Sequence, residues 1–203
     1  LSGQYPPGST FKMITAVAGL ETGSITPTTR ITDRGVYRLY EYAGYTPACW
    51  IYRSYGTTHG TINVSQAIAQ SCNYFFYEVG RLTGIEAINE YGAAFGIGQS
   101  TGIELPERTG ILDGPEYRDS VGQLYVGGDL LQISIGQGAT LATPVQLANY
   151  VATLVGGGDR YSVHLLKDVK TYDGSATIYT YEPEVLSTVE MSASTLEAVK
   201  EGM

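Results

Sequence analysis

Four residues in two short runs carry the strongest chemical signal in this chain. "STFK" places Ser9 and Lys12 three positions apart, and "SCN" places Ser71 and Asn73 on either side of Cys72. Residues i and i+3 share one helical face, so Ser9 and Lys12 project side by side if the run after Pro6, Pro7 and Gly8 is a helix. A lysine amine set among Phe11, Ile14 and Val17 loses solvation in its charged form and moves toward neutrality. A neutral amine beside a hydroxyl is a base beside a nucleophile, and a helix start adds positive backbone potential where an oxyanion would develop. Taken alone, Ser-x-x-Lys reads better as a capping serine followed by a lysine that reaches for water. The second run changes the balance. In an extended turn Ser71 and Asn73 point the same way while Cys72 points back. A hydroxyl and an amide then share a face, suited to relaying a proton and holding a substrate amide. Together the four residue types support acylation of a serine.

Helices must hold these groups. Ser9 occupies an N-cap or first-turn position of a helix that runs to about Glu21 and stops at Gly23. Residues 26–60, rich in Tyr, Gly, Thr and Pro, read as short strands and loops. Helical spacing returns over 63–71, ending at "SCN", and over 74–84 and 85–96, each closed by a glycine. Residues 100–114 are extended and turn-rich. The clearest helix follows Thr143, with Pro144 at its first position, an apolar face of Leu147, Ala148, Val151, Leu154 and Val155, and a stop at Gly156 to Gly158. A hairpin turns at Asp173-Gly174, and a last helix covers about 194–201.

A chain of 203 residues, 43% apolar and 16% charged, has the composition of one ordered domain with a substantial core. Its net charge of −8 argues against nucleic acid or an acidic membrane surface as the partner. No apolar run reaches the ~18 residues a membrane span needs, so no membrane contact is expected of this chain. It starts in mid-motif, with no initiator methionine or basic leader, and stops at "VKEGM". Residues 1–203 therefore read as an excised, partial domain.

Other candidates have plainer explanations. Cys49 and Cys72 match no metal spacing and read as two free thiols, with a disulfide as the alternative; no metal is expected. His59 in "THG" is a turn histidine before glycine, since no nucleophile elbow accompanies it. "IGQG" (135–138) lacks the lysine of a phosphate loop and reads as a backbone turn in the core. Tyr37, Tyr40, Tyr42 and Tyr45 read as polar surface, with stacking on sugar or peptide as the other option.

Longer stretches around the two motifs resemble a known family. "YPPGSTFKMITAVAGLE" looks like the nucleophile segment of penicillin-binding protein transpeptidases, and "HGTINVSQAIAQSCNYFFYEVG" is similar to their second-motif region. "FGIGQSTGIELPERTG" and "LLQISIGQGATLATPVQLANYVATLVGGG" resemble two further stretches of the class B group, close to penicillin-binding protein 2. The resemblance implies an α+β fold of the serine β-lactamase and transpeptidase type, of which this chain is mostly the helical subdomain with a short β-hairpin. It implies Ser9 as acylated nucleophile, Lys12 as its base, Ser71 as proton relay toward the leaving group and Asn73 as the holder of the substrate amide. No cofactor is implied. The implied partners are peptidoglycan stem peptides, β-lactams and cell-wall synthesis proteins, at the extracytoplasmic face of the bacterial membrane.

The middle triplet sorts the relatives. Class C β-lactamases carry Tyr-x-Asn and class D enzymes Ser-x-Val, whereas this chain has Ser-Cys-Asn. Glu107 in "ERTGI" lacks the Leu-Asn that follows the water-activating glutamate of class A enzymes. A transpeptidase thus ranks above a hydrolase, with a non-catalytic β-lactam sensor as a further alternative. The family's third motif, Lys-Thr-Gly, is missing, and its place falls beyond Met203. "RTG" (108–110) has the letters of a variant but sits in a stretch whose counterpart is a connecting loop.

Overall fold

The computed structural model describes residues 1–203. A 3₁₀ turn, Gly8–Phe11, runs directly into α1, Lys12–Glu21. Phe11, Lys12 and every residue from Ile14 to Leu20 are buried. A helix apolar all round has to be the central rod of a core, and α1 is that rod. After β1 (Ile31–Thr32) come α2 (Trp50–Tyr55), β2 (Thr61–Ile62), α3 (Val64–Ala69), α4 (Asn73–Thr83) and α5 (Ile85–Ala94). The chain continues through α6 (Pro115–Ser120), α7 (Gly127–Ile133) and α8 (Pro144–Gly156). Strands β3 (Asp159–Tyr161), β4 (Asp168–Lys170), β5 (Thr177–Thr180) and β6 (Val185–Thr188) precede α9 (Ala193–Gly202).

Helices α3, α4, α5 and α9 surround α1, and α7 packs on α4. The strands form three antiparallel pairs, β1–β2, β3–β6 and β4–β5, with Ile31 opposite Ile62 and Arg160 opposite Ser187. The architecture is α+β and mainly helical, as expected. No helix is long and apolar enough to cross a membrane.

Periodicity located α1, α3, α4, α5, α8 and α9, and the β4–β5 hairpin turns at Asp173-Gly174. The α8 cap works through both partners: Gln146 N–H donates to Thr143 Oγ1 at 3.3 Å, and Thr143 N–H donates to Gln146 Oε1 at 2.8 Å. Gln146 Nε2 also donates to the carbonyls of Gly96, Gln99 and Thr109, tying the extended 96–109 stretch to α8. Elsewhere the structure corrects the sequence reading. Residues 26–60 also contain a helix, α2, which the sequence does not signal because its six residues include few strong formers and none is buried. Tyr37 is not surface: it is 5% exposed, and its hydroxyl donates to Glu78.

Close approaches hold the Gly8–Phe11 turn in place. "IGQG" is the backbone turn expected: Gly136 has φ +68°, its carbonyl accepts from Gly8 N–H at 2.8 Å, and a Cβ there would lie 2.3 Å from the Gly8 oxygen. Gly80 of α4 meets α7 so closely that a Cβ would lie 1.8 Å from Ser134 Oγ. The fully buried Tyr150 of α8 donates its hydroxyl to the Thr10 carbonyl at 2.8 Å.

Behind this turn, Arg118 donates through Nε to Asp113 Oδ1 at 2.7 Å and through Nη2 to Asp113 Oδ2 at 2.8 Å, and reaches Asp129 at 3.2 Å. Burial opposes the Asp113 charge, but Arg118 and the Ala139 N–H hold its carboxyl below the usual range. A carboxyl with a depressed folded pKa stabilises above its unfolded value, and that stability is lost as pH falls through the folded value. Asp113→Ala strands the guanidinium and is expected to cost about 3 kcal/mol at neutral pH. Urea unfolding of the variant and the parent checks it. A variant whose deficit does not shrink at acid pH contradicts the ion-pair origin.

Candidate active site

The two sequence motifs converge. Lys12 is 1% exposed, and its Nζ donates to Ser71 Oγ at 3.0 Å, to the Ser71 carbonyl at 2.8 Å and to Asn73 Oδ1 at 2.6 Å. Ser71 Oγ lies 2.7 Å from Ser9 Oγ. Ser9, Ser71, Lys12 and Asn73 therefore form one hydrogen-bonded chain running from an exposed hydroxyl to a buried amine. Burial pulls the Lys12 amine down to about 8, partly opposed by the thiols of Cys72 and Cys49. The Phe76 ring closes one side, 5.8 Å from Nζ.

Ser9 is the second residue of the 3₁₀ turn, not its cap. Pro7 holds the N-cap position and no side chain caps this turn, which leaves the Ser9 hydroxyl for Ser71. Ser71 occupies a junction between helices. Its N–H donates to the Ile68 carbonyl and the Cys72 N–H to the Ala67 carbonyl, each at 2.9 Å. That is the Schellman termination of α3, whose left-handed position normally belongs to glycine. Ser71, at φ 51°, is the one non-glycine residue with positive φ. Cys72 then caps α4, with Sγ accepting from Phe75 N–H at 3.4 Å, and Asn73 opens the helix. Ser71 and Asn73 do share a face with Cys72 behind them, but a left-handed residue and a helix start produce this, not the extended turn expected from the sequence.

Ser9 stands between two cavities. One, of 340 Å³, is lined by Trp50, Arg53, Asn73, Tyr77, Gln132 and Gln137 among others. The other, of 430 Å³, is lined by Lys12, Met13, Ile68, Ser71, Glu201 and Met203 among others. Arg108, Thr109 and Gly110 line neither; the Thr109 carbonyl is held by Gln146. Glu107 is also remote, accepting from Ser100 Oγ, Thr101 N–H and Thr101 Oγ1.

Behind Cys72 lies a group that the sequence concealed. Asp33, Cys49, His59 and Cys72 offer donor atoms all within 4.8 Å of one another. His59 Nδ1 is 2.9 Å from Asp33 Oδ2 and 3.5 Å from Cys49 Sγ, and the two sulfurs are 3.8 Å apart, both thiols free. His59 is thus no plain turn residue. Two sulfurs, one imidazole and one carboxylate suit tetrahedral zinc, whose bond lengths imply ligand separations of about 3.3–3.8 Å. The fold supplies residues that fit a structural ion where chain spacing offered none. The only hint in the sequence is that Cys49 and His59 fall between the two motifs and Cys72 within the second. A bound ion would staple residues 33–59 to the Ser71–Asn73 junction.

Two outcomes follow. Ser71→Gly and Ser71→Ala both remove the bridging hydroxyl, but glycine relieves the left-handed strain. The glycine variant is expected to be more stable than the alanine variant by about 1 kcal/mol in denaturant titrations; equal stabilities would place no strain at Ser71. Added zinc is expected to raise the thermal midpoint of the parent and to leave that of Cys49→Ser nearly unmoved; an equal rise in both would mean that these donors do not hold the ion.

Known proteins resemble this chain along most or all of its length. The penicillin binding protein transpeptidase domain matches residues 1–203. A peptidoglycan D,D-transpeptidase, MrdA, of Acinetobacter baumannii is 36% identical over 173 residues, covering 82% of this chain and 24% of that protein. The crystal structure of Pseudomonas aeruginosa PBP2 in complex with WCK 5153 superposes with a TM-score of 0.84 at 30% identity, covering all of this chain and 44% of that one. The penicillin G acyl-enzyme complex of penicillin-binding protein A from M. tuberculosis superposes at 0.81 with 26% identity, covering 100% and 44%. The chain spans about a quarter to a third of the length of the curated relatives it matches. With two motifs joined through one buried lysine and the family match running from end to end, this chain belongs to the penicillin-binding protein transpeptidases, in their class B group.

Proposed function

We propose that the chain is part of a peptidoglycan D,D-transpeptidase in which Ser9 forms an acyl-enzyme with a stem peptide. The observation that carries this is the path from the exposed Ser9 hydroxyl through Ser71 to a buried amine held near pH 8. With Lys12 neutral, the Ser71 hydroxyl donates to Nζ and the Ser9 hydroxyl donates to Ser71 Oγ. Ser9 Oγ attacks the penultimate D-alanyl carbonyl as its proton passes along this path. The Ser9 N–H, in the first turn, is the backbone donor nearest the developing oxyanion, since the Gly8 N–H is held by the Gly136 carbonyl. Collapse breaks the amide bond, and the Lys12 proton returns through Ser71 to the departing D-alanine nitrogen. A second stem's amine then attacks the ester, repeating the cycle and restoring the Ser9 hydroxyl. A β-lactam opens at the same step and stays attached, as penicillin G does on the M. tuberculosis relative.

Glu107 is committed to Ser100 and Thr101, away from Ser9, which favours transfer over a hydrolase. The relatives also suggest the setting. PBP2 of Helicobacter pylori has been seen in complex with MreC, and we place this chain with cell-wall synthesis proteins, at the extracytoplasmic face of the membrane.

Labelling of the parent protein by a fluorescent penicillin is expected to be lost in Ser9→Ala and slowed by roughly 10² to 10⁴ in Lys12→Met. In the parent, the acylation rate should rise with pH and level off above about 8, where Lys12 loses its proton. Lys12→Arg should not rescue, because guanidinium stays protonated. Labelling that survives in Ser9→Ala, or an arginine variant at the parental rate, overturns the assignment.

A further inference from the structure

Cys49 and Cys72 stand before different helices, α2 and α4, and meet in the core. Both are fully buried, both thiols are free, and their sulfurs lie 3.8 Å apart. A disulfide needs about 2.05 Å between sulfurs, so closing the pair asks for about 1.7 Å of movement shared by two side chains. Cys49 occupies the N-cap of α2 without using its side chain there, which leaves its sulfur able to turn toward Cys72.

The surroundings of the pair are polar. Cys72 Sγ is 3.7 Å from Asp33 Oδ2, and Cys49 Sγ is 3.5 Å from His59 Nδ1. A thiol sealed in apolar packing is inert, whereas one in a polar pocket can be oxidised. Helix α2 follows Cys49 directly and none of its residues is buried, so a local opening admits a molecule as small as a peroxide.

We infer that Cys49 and Cys72 form an oxidation site, which a peroxide closes to a disulfide that reversibly slows acylation at Ser9. In the first step one thiol sulfur attacks the peroxide O–O bond, giving a sulfenic acid and one water. The second thiol then displaces the sulfenic oxygen as a second water, and the S–S bond forms. Two electrons leave the sulfurs and reduce the peroxide. A disulfide has no thiolate to give to an ion, so this state and the metal-holding one exclude each other. At the extracytoplasmic face, where we place this chain, disulfides persist.

The effect on rate rests on the acyl-enzyme reading above. Cys72 separates Ser71 from Asn73, whose oxygens all accept from Lys12 Nζ. Drawing Cys72 Sγ toward Cys49 takes it from the Phe75 N–H, which it accepts at 3.4 Å to cap α4. The junction that positions Lys12 moves with it, and displacements of about 1 Å can cost up to 10² in rate.

The test treats the parent protein with hydrogen peroxide, with a chelator present to keep the four donors free of metal. Non-reduced tryptic digestion is expected to give residues 39–53 joined to residues 54–81, which hold Cys49 and Cys72. Labelling by a fluorescent penicillin should fall about tenfold and recover with dithiothreitol, which does not reverse methionine oxidation at Met13 beside Lys12. In Cys49→Ala and in Cys72→Ala the linked peptide should be absent, and dithiothreitol should restore no labelling. Absence of the linked peptide in the parent overturns the oxidation site. A linked peptide with labelling unchanged, or an equal dithiothreitol-reversible loss in Cys49→Ala, overturns its control of Ser9. If penicillin does not label the reduced parent, the acyl-enzyme reading fails and takes the rate effect with it, while the linked peptide still establishes the disulfide.

Discussion

The site depends on one buried amine. Lys12 sits 1% exposed at the start of the central helix, and its three contacts all reach the Ser71–Asn73 junction. Burying an ammonium without partners is costly, and the fold answers that cost in two ways. Three oxygen acceptors converge on Nζ, and desolvation lowers the proton affinity to about 8. Either protonation state is then accessible near neutral pH, as the base role proposed for Lys12 requires.

Much of the surrounding architecture keeps those acceptors in range. The Schellman turn at the end of α3 sets Ser71 in a conformation that a glycine would adopt more easily, and α4 begins so soon afterwards that Asn73 is held beside it. Strain at a residue that also carries function is the pattern expected where surrounding structure over-determines the backbone. On the other side, Gly136, Tyr150 and the Gly8 N–H fix the nucleophile turn against α8 and the turn that follows α7. The two halves meet at Ser9 and Ser71, which belong to different elements and are brought to 2.7 Å only by the packing of α1 against α3 and α4.

The segment between the motifs contributes more than a connection. Its inner side presents the Cys49 thiol, the His59 imidazole and the Asp33 carboxylate directly behind Cys72, and its outer side presents Arg53 to the cleft. One short helix, α2, follows Cys49 and carries Arg53, so the inner anchor and the cleft wall are mechanically linked.

Sequence alone determined the helices with strong periodicity or complete caps, because a 3.6-residue pattern and a Thr143–Gln146 box are local signals. It also named the residues that meet at Lys12 Nζ, since Ser-x-x-Lys and Ser-x-Asn are short motifs with recognisable company, but not the left-handed turn that brings Ser71 there. Tertiary structure decided the rest. That Ser9 reaches Lys12 by way of Ser71 is a relation between two helices, invisible to spacing along one. That His59 leaves the surface for Asp33 and Cys49, that Tyr37 is buried against Glu78, and that "RTG" turns toward Gln146 all depend on contacts across long sequence separations. Helix α2 was hidden because its six residues have weak propensity and none is buried, so no periodic pattern marks it; left-handed Gly56 closes it, and Trp50 donates to the Gln70 carbonyl across the fold.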